Sequence, residues 1–156
     1  MISLTCPAEL AGDTIDHLQA AGRRRHERLV LWLTASPAGQ SAVVDEIYNP
    51  EQETAADRFH LPPASMRMLM THLRARRLRI AAQVHSHPQL AFHSVADDRW
   101  AIVRHRGALS LVLPFFASAT TIGNFLEEAK TFELSAENHW LEVPNFGPHA
   151  RVEIRR

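Results

Sequence analysis

The chain has 156 residues, of which 46% are apolar, and its 17 basic residues are balanced by 17 acidic residues. That length and composition predict a single domain over residues 1–156, and the zero net charge argues against a nucleic-acid or membrane-surface binder. The single cysteine excludes an internal disulfide. No apolar run approaches the ~20 residues of a membrane span and the start lacks a signal-peptide pattern, so we expect a soluble, cytoplasmic protein.

The first half of the chain alternates helical and extended patterns. A helix is predicted over residues 7–21, because proline suits the first turn of a helix and Gly22 suits its C-terminal cap. The apolar run 29–33 predicts a strand buried on both faces, with residues 42–48 as its hairpin partner. A second helix is predicted over residues 62–77. Its buried face is expected to contain four apolar residues at helical spacing, Met66, Leu69, Met70 and Leu73.

The second half contains the remaining elements of a sheet. A strand is predicted over residues 79–84, a helix over residues 95–105 and a buried strand over residues 109–116. Short antiparallel strands are expected from Phe125 onward. This order predicts an α/β fold, with a central mixed sheet flanked by helices.

The chemistry is concentrated in one segment that follows strand 79–84. His85 and His87 are two residues apart, so both side chains point to the same side of an extended chain. Ser94 is a suitable N-cap for the next helix, and it places Asp97 three residues on, on the same helix side. Two imidazoles and one carboxylate leave the fourth position of zinc open for water, which is the pattern of a catalytic site. Bound zinc lowers the pKa of that water to about 7.

Each half of this pattern also has a simple structural interpretation. A His-x-His pair alone is a weak signal, and Ser-x-x-Asp alone is an ordinary capping motif. Their combination across a strand, a loop and a helix is a much stronger indication of a metal site. A metal-bound water also benefits from a general base, for which Glu27 and Glu46 are both candidates, although both have an alternative interpretation as surface carboxylates. Ser94 is able both to cap the helix and to stabilise an oxyanion.

These residues together resemble the JAMM motif of the JAB/MPN/Mov34 metalloprotease family. That motif is a glutamate at the head of a strand, then His-x-His-Pro, then Ser-x-x-Asp. The matching segments here are Glu27, His85-Ser86-His87-Pro88 and Ser94-Val95-Ala96-Asp97. The short single-domain form is similar to the prokaryotic JAB branch. Val30 and Thr34 replace glycines that are common in the first strand of the family, and His93 replaces a common proline.

The resemblance implies a role for each residue of the motif. His85, His87 and Asp97 would bind the metal, Glu27 rather than Glu46 would be the base, and Ser94 would help to stabilise the oxyanion. Arg99 stands where the endosomal deubiquitinase branch has a histidine that helps to bind a second zinc. The resemblance therefore implies one Zn²⁺ per chain. It also implies a three-layer α/β/α fold similar to that of cytidine deaminases.

The resemblance further implies an (iso)peptidase that cleaves after the C-terminal tail of a ubiquitin-like protein. Its partners would be that protein or its conjugates, and E1-like or E2-like proteins of the same bacterial operon, with no nucleic acid and no membrane. The loop 89–93 lies between the ligands and so borders the cleft, where an extended tail ending in slim glycines fits best. The alternatives are a processing peptidase for a sulfur-carrier precursor, a non-catalytic MPN-type scaffold and a DNA-associated protein.

Overall fold

A computed structural model describes residues 2–92 and 101–156 of the chain. These residues contain three α-helices, α1 (Ala8–Gly22), α2 (Pro63–Arg76) and α3 (Phe125–Glu128). The first six strands are β1 (Leu4–Pro7), β2 (Leu29–Thr34), β3 (Ala42–Val43), β4 (Glu46–Tyr48), β5 (Glu53–Thr54) and β6 (Phe59–His60). They are followed by β7 (Arg79–Ser86), β8 (Leu109–Leu113), β9 (Lys130–Leu134), β10 (Trp140–Val143) and β11 (Val152–Arg155).

The central sheet has six strands in the order β10-β9-β8-β7-β2-β4. Strand β7 pairs in parallel with β8, whereas its other neighbour, β2, runs antiparallel to it. Every residue from Ile80 to Ser86 is buried, as the central position of the strand requires. A second sheet has the order β11-β1-β3, and β5 and β6 form a two-stranded ribbon.

The two faces of the central sheet contribute to two different parts of the core. On one face, Val30, Trp32 and Val84 pack with residues of α1 such as Leu18. The Trp32 indole also donates a buried hydrogen bond of 2.9 Å to Thr14 of that helix. On the other face, Leu29 and Leu31 belong to the same cluster as Leu69 of α2. The predicted α/β class with a central mixed sheet is confirmed.

Several local predictions need correction. The hairpin partner predicted over residues 42–48 is split, because β3 pairs with β1 and only β4 pairs with β2. Met70 is 45% exposed, because the ring of His72 rather than Met70 lies against Tyr48 of the sheet. Strand β8 ends at Leu113, before a tight turn, rather than at Phe116. Residues 101–105 are not helical, so the predicted helix end at His105 is wrong, while residues 95–100 lie outside the described residues.

Strand β1 was not predicted from the sequence. Its four residues are too few to show a period, and its strand geometry depends on pairing with residues more than a hundred positions away in β11. In the described part of the chain, no helix is both long enough and apolar enough to cross a membrane.

Candidate metal centre

The end of strand β7 places two histidines side by side inside the protein. His85 is 0% and His87 is 3% exposed, and their ring centroids are 5.2 Å apart. The His87 amide donates a 2.9 Å hydrogen bond to the Leu113 carbonyl, so pairing with β8 continues to this residue. Pro88 then ends the strand, because proline has no amide hydrogen to donate.

A β-bulge determines which face of the sheet the histidines occupy. Trp32 of β2 lies opposite Ala82, but the next residue, Leu33, lies opposite Ile80. Ala81 is therefore an extra residue in β7, and an extra residue reverses the alternation of side chains along a strand. As a result, His85 lies opposite Leu29 on the face that α2 covers. The Phe59 ring packs against the His85 ring with centroids 5.3 Å apart.

Glu27 brings a carboxylate to the same site. Its side chain is buried, and Oε1 lies 3.8 Å from Nε2 of His87. The Glu27 amide donates to the Ala55 carbonyl at 2.8 Å, which fixes the backbone just before β2. A buried carboxylate is costly unless a positive charge or hydrogen-bond donors lie close to it. The sequence-predicted base and the two predicted histidine ligands are thus brought together.

Gln52 fixes the start of β2, and sequence reasoning missed it. Its side-chain amide donates to the Leu29 carbonyl at 2.8 Å and accepts from the Leu29 amide at 2.9 Å, as a neighbouring strand would. Arg28 extends this support by donating to Asn49 at 2.7 Å. A glutamine in a polar loop gives no sequence signal for such a role, because the contact depends on the path of the loop.

Glu46, the other candidate base, lies at the opposite end of β2. It is paired with Leu33, roughly 13 Å along the strand from Leu29 at ~3.3 Å per residue. One carboxylate oxygen contacts His72, and the other lies 3.1 Å from Nε of Arg76. Glu46 is therefore part of an ion-pair cluster with α2 and is remote from His85 and His87.

The loop after the histidines is held by an unusual turn. Phe115, Phe116 and Ala117 have φ values of 53°, 54° and 58°, a left-handed conformation that costs roughly 1–2 kcal/mol for each residue with a side chain. The Phe116 amide donates to the His87 carbonyl at 2.7 Å, and the Phe115 amide donates to the Gln89 carbonyl at 2.9 Å. Backbone strain of this kind is often found at functional sites, where the surrounding structure maintains it.

Helix α1 supports this left-handed turn. A Cβ atom on Gly22 would lie 2.6 Å from Cβ of Phe116, so only glycine allows the observed approach. The Gln19 side chain donates to the Ala117 carbonyl at 2.9 Å and to the Thr120 carbonyl at 3.2 Å. The prediction that Gly22 caps the helix is wrong, because Gly22 is the last residue of α1 and Arg23 is its C-cap. The close contact of Gly22 with Phe116 is a different role, which no local pattern indicates.

The other two predicted site residues, Ser94 and Asp97, lie outside the described residues. The described chain reaches this gap at Phe92, whose ring meets the His87 ring edge-on with centroids 4.7 Å apart. After the gap, the Ile102 amide donates a 2.9 Å hydrogen bond to the buried side chain of Gln83. Both flanks of the gap therefore contact the face of β7 that carries His85.

Comparisons with known proteins indicate the family of the chain. No protein-family model matches the chain. The probable metalloprotease y4jG of Sinorhizobium fredii (strain NBRC 101917 / NGR234) is 31% identical over 147 residues, which cover 92% of this chain and 88% of that protein. The chain belongs to the family of this metalloprotease. Membership supports a metal-dependent hydrolase.

A solved structure adds evidence on the fold. Protein DSY2949 from Desulfitobacterium hafniense matches 97% of this chain and 94% of its own, with a TM-score of 0.66 at 15% identity. At that identity the likeness shows a shared fold and nothing more. It agrees with the mixed α/β architecture described above.

The donors at this site fit the metal that a metalloprotease needs. Imidazole nitrogen suits zinc and several other transition metals, and two imidazoles here converge beside a buried carboxylate. Within residues 2–92 and 101–156, no three His, Cys, Asp or Glu side chains form a group able to hold a metal ion. Asp97, the third ligand predicted from the sequence, lies in residues 93–100, outside these ranges.

Proposed function

We propose that this metalloprotease is a JAMM-type zinc peptidase in which His85, His87 and Asp97 hold one zinc ion and Glu27 is the general base. The observation that carries the proposal is the buried Glu27 carboxylate 3.8 Å from Nε2 of the buried His87. When bound, zinc supplies a Lewis acid that lowers the pKa of a water molecule to about 7.

The residues of the chain itself perform the proton transfers. Glu27 accepts a proton from the attacking water and delivers it to the departing amine, a role that typically accelerates a reaction by about 10²–10⁴-fold. The Ser94 hydroxyl donates to the oxygen that becomes negatively charged. Phe59 and the neighbouring strands keep His85 dry, and electrostatic interactions are stronger where water is excluded.

The flanks of residues 93–100 support the assignment of Asp97. The chain leaves this face of the sheet at Phe92 beside His87 and returns at Ile102 beside Gln83, two residues before His85 on the same strand. Both ends of the connection that contains Asp97 therefore lie on the histidine face, and this placement supports a third ligand from within the connection.

We extend the proposal to the substrate, the C-terminal tail of a ubiquitin-like protein. Strand β7 is paired on both sides, so the tail cannot add to the strand that carries the histidines. A groove beside the loop after β7 offers another path. It is lined by the apolar residues Leu90, Ala91, Pro114, Leu126 and Phe146, by the acidic residues Glu127 and Glu128, and by Glu142 and Lys130, which pair with each other at 3.1 Å. This lining favours a tail that has both apolar and basic side chains and that ends in small residues at the metal.

The decisive assay uses a fusion of the cognate ubiquitin-like protein to a reporter, with mass spectrometry of the products. We expect cleavage directly after the tail, and we expect a zinc chelator or Glu27→Gln to abolish it. A matched peptide that has the same tail but no folded domain is the control. Efficient hydrolysis of that peptide would contradict the substrate proposal and favour a general peptidase. Retention of zinc without any hydrolysis would favour the scaffold alternative.

A further inference from the structure

A pocket at the opposite end of the central sheet from the histidines has a different chemical character. It lies where the parallel strands β7 and β8 begin, at Arg79 and Leu109. Strand β7 is eight residues long, which places this pocket roughly 20 Å from the end that carries the histidines at ~3.3 Å per residue. We call it the arginine pocket, after Arg79, Arg106 and Arg151, which line it.

The charges around the arginine pocket do not balance. Among the described residues that line it, Glu133 is the only acidic side chain, and its carboxylate accepts from Nε of Arg151 at 2.9 Å. Arg79 donates to the neutral carbonyls of Ser36 at 2.6 Å and Pro37 at 3.3 Å, so these contacts leave its positive charge uncompensated. Arg106 is exposed at the rim. The pocket therefore has a net positive charge even with its histidines neutral.

Two histidines lie beside the arginines of the pocket. His105 and His149 also line the pocket. Burial and the charge of Arg79 lower the pKa of His105, which places that ring within the positive field of the arginine. An anion bound among these groups would reduce the repulsion between them.

The shape of the pocket favours a small molecule over an extended polymer. Its volume of about 470 Å³ lies within the range of ~300–1,000 Å³ typical of ligand sites. Its floor includes the buried apolar side chains Leu4, Ala81 and Leu109. A concave site with an apolar floor and cationic walls suits an anion that also has an apolar body. Nucleic acid would instead require a basic stripe along the surface.

We propose that the arginine pocket binds a small organic phosphate, with its phosphoryl group held by Arg79 and Arg106 and its apolar body on the floor. The planar guanidinium group of Arg106 matches the geometry of phosphate oxygens and is able to bind them through paired hydrogen bonds. Arg79 already donates from Nε and one terminal nitrogen to backbone carbonyls, so it contributes its charge and its remaining N–H groups. This site is separate from the proposed zinc centre and shares no residue with it.

The test is calorimetric titration of the zinc-loaded protein with inorganic phosphate and with adenosine monophosphate. We expect adenosine monophosphate to bind more tightly, because its ring system buries apolar surface on the floor. Arg106→Gln should weaken binding of both probes by about tenfold or more, since it removes a charged donor. Arg106 is exposed, so this variant should keep the wild-type melting temperature. Arg67→Gln, an exposed position on α2, is the matched control and should bind as wild type does.

Three results would overturn the proposal. The first is an absence of binding to the wild-type protein. The second is equal binding by wild type and Arg106→Gln, or an equal loss in Arg67→Gln. The third is tight binding of a DNA or RNA duplex by a protein that ignores both small probes, which would assign the arginine pocket to a nucleic-acid surface.

Discussion

The two ends of the central sheet use similar residue types in opposite ways. At one end of β2 and β7, Glu27 and the two histidines are buried together. At the other end, Glu46 meets His72 and Arg76 where all three side chains are partly exposed. A surface ion pair costs little to form and contributes about 0–1 kcal/mol, whereas a buried carboxylate must be compensated by its surroundings. Burial, rather than residue type, therefore distinguishes the candidate catalytic carboxylate from the structural one.

The largest expected effect comes from replacing one histidine at each end of the central sheet with alanine. His87→Ala should reduce zinc from about one ion per chain to nearly none and abolish hydrolysis, because it removes one of the three proposed ligands. His72→Ala removes the partner of Glu46 and should keep both zinc and activity. Metal analysis of the two purified variants makes the comparison. Equal zinc in wild type and His87→Ala would remove the proposed centre.

The two glutamates provide the next largest contrast. Glu27→Gln should keep zinc and the wild-type melting temperature but lose about 10²–10⁴-fold in kcat, since an amide cannot accept the proton. Glu46→Gln should keep kcat and lose at most about 1 kcal/mol of stability, as expected of a partly exposed ion pair. Steady-state kinetics with metal analysis separates these outcomes. An inactive Glu46→Gln beside an active Glu27→Gln would reverse the assignment.

Two glycines of α1 test the support of the left-handed turn. Gly22→Ala should lower the free energy of unfolding by about 1–3 kcal/mol, because the new Cβ overlaps Phe116 and overpacking has costs of this size. It should also lower kcat, since Phe116 holds the His87 carbonyl. Gly12→Ala is the control in the same helix, where the new Cβ would lie 3.2 Å from the flexible end of Ile122. Denaturant unfolding should show Gly12→Ala as neutral or stabilised by up to ~1 kcal/mol. Equal stability of the two variants would show that the turn adapts.

The smallest expected effect concerns Cys6, which is as buried as His85 but lies among apolar side chains. Burial raises the pKa of its thiol from 9.0 to about 12. The native protein should therefore react slowly with thiol reagents between pH 7 and about 10, and the unfolded chain should react fast. Because the folded pKa is raised, this group stabilises the fold below pH 9.0, and its contribution is lost as the pH rises from 9.0 towards 12. Rapid labelling of the native protein would show that β1 opens.

The sequence predicted the elements whose patterns are local. The apolar run 29–33 and the two long helices were found close to their predicted bounds, since a continuous apolar run and a helical period of 3.6 residues are visible within one segment. Elements defined by distant partners were missed or misjudged. Strand β1 depends on β11, and the short β3 turns away from β2 to pair with β1. Met70 follows the helical period but is exposed, because the ring of His72 rather than Met70 lies against Tyr48 of the sheet.

For the site, the sequence by itself determined which residue types follow one another: two histidines at strand spacing, a proline that ends the strand and two candidate glutamates, of which the family resemblance favoured Glu27. Only the tertiary structure decided which face the histidines occupy, because that depends on the extra residue Ala81 in the pairing of β7 with β2. Only the tertiary structure placed Glu27 at the histidine end of β2 and Glu46 at the other end. The pairing of the strands decides which strand ends lie side by side. The contact of Gly22 with Phe116 joins residues 94 positions apart along the chain. No local pattern predicts it, because the space available to a side chain is fixed by packing between distant segments.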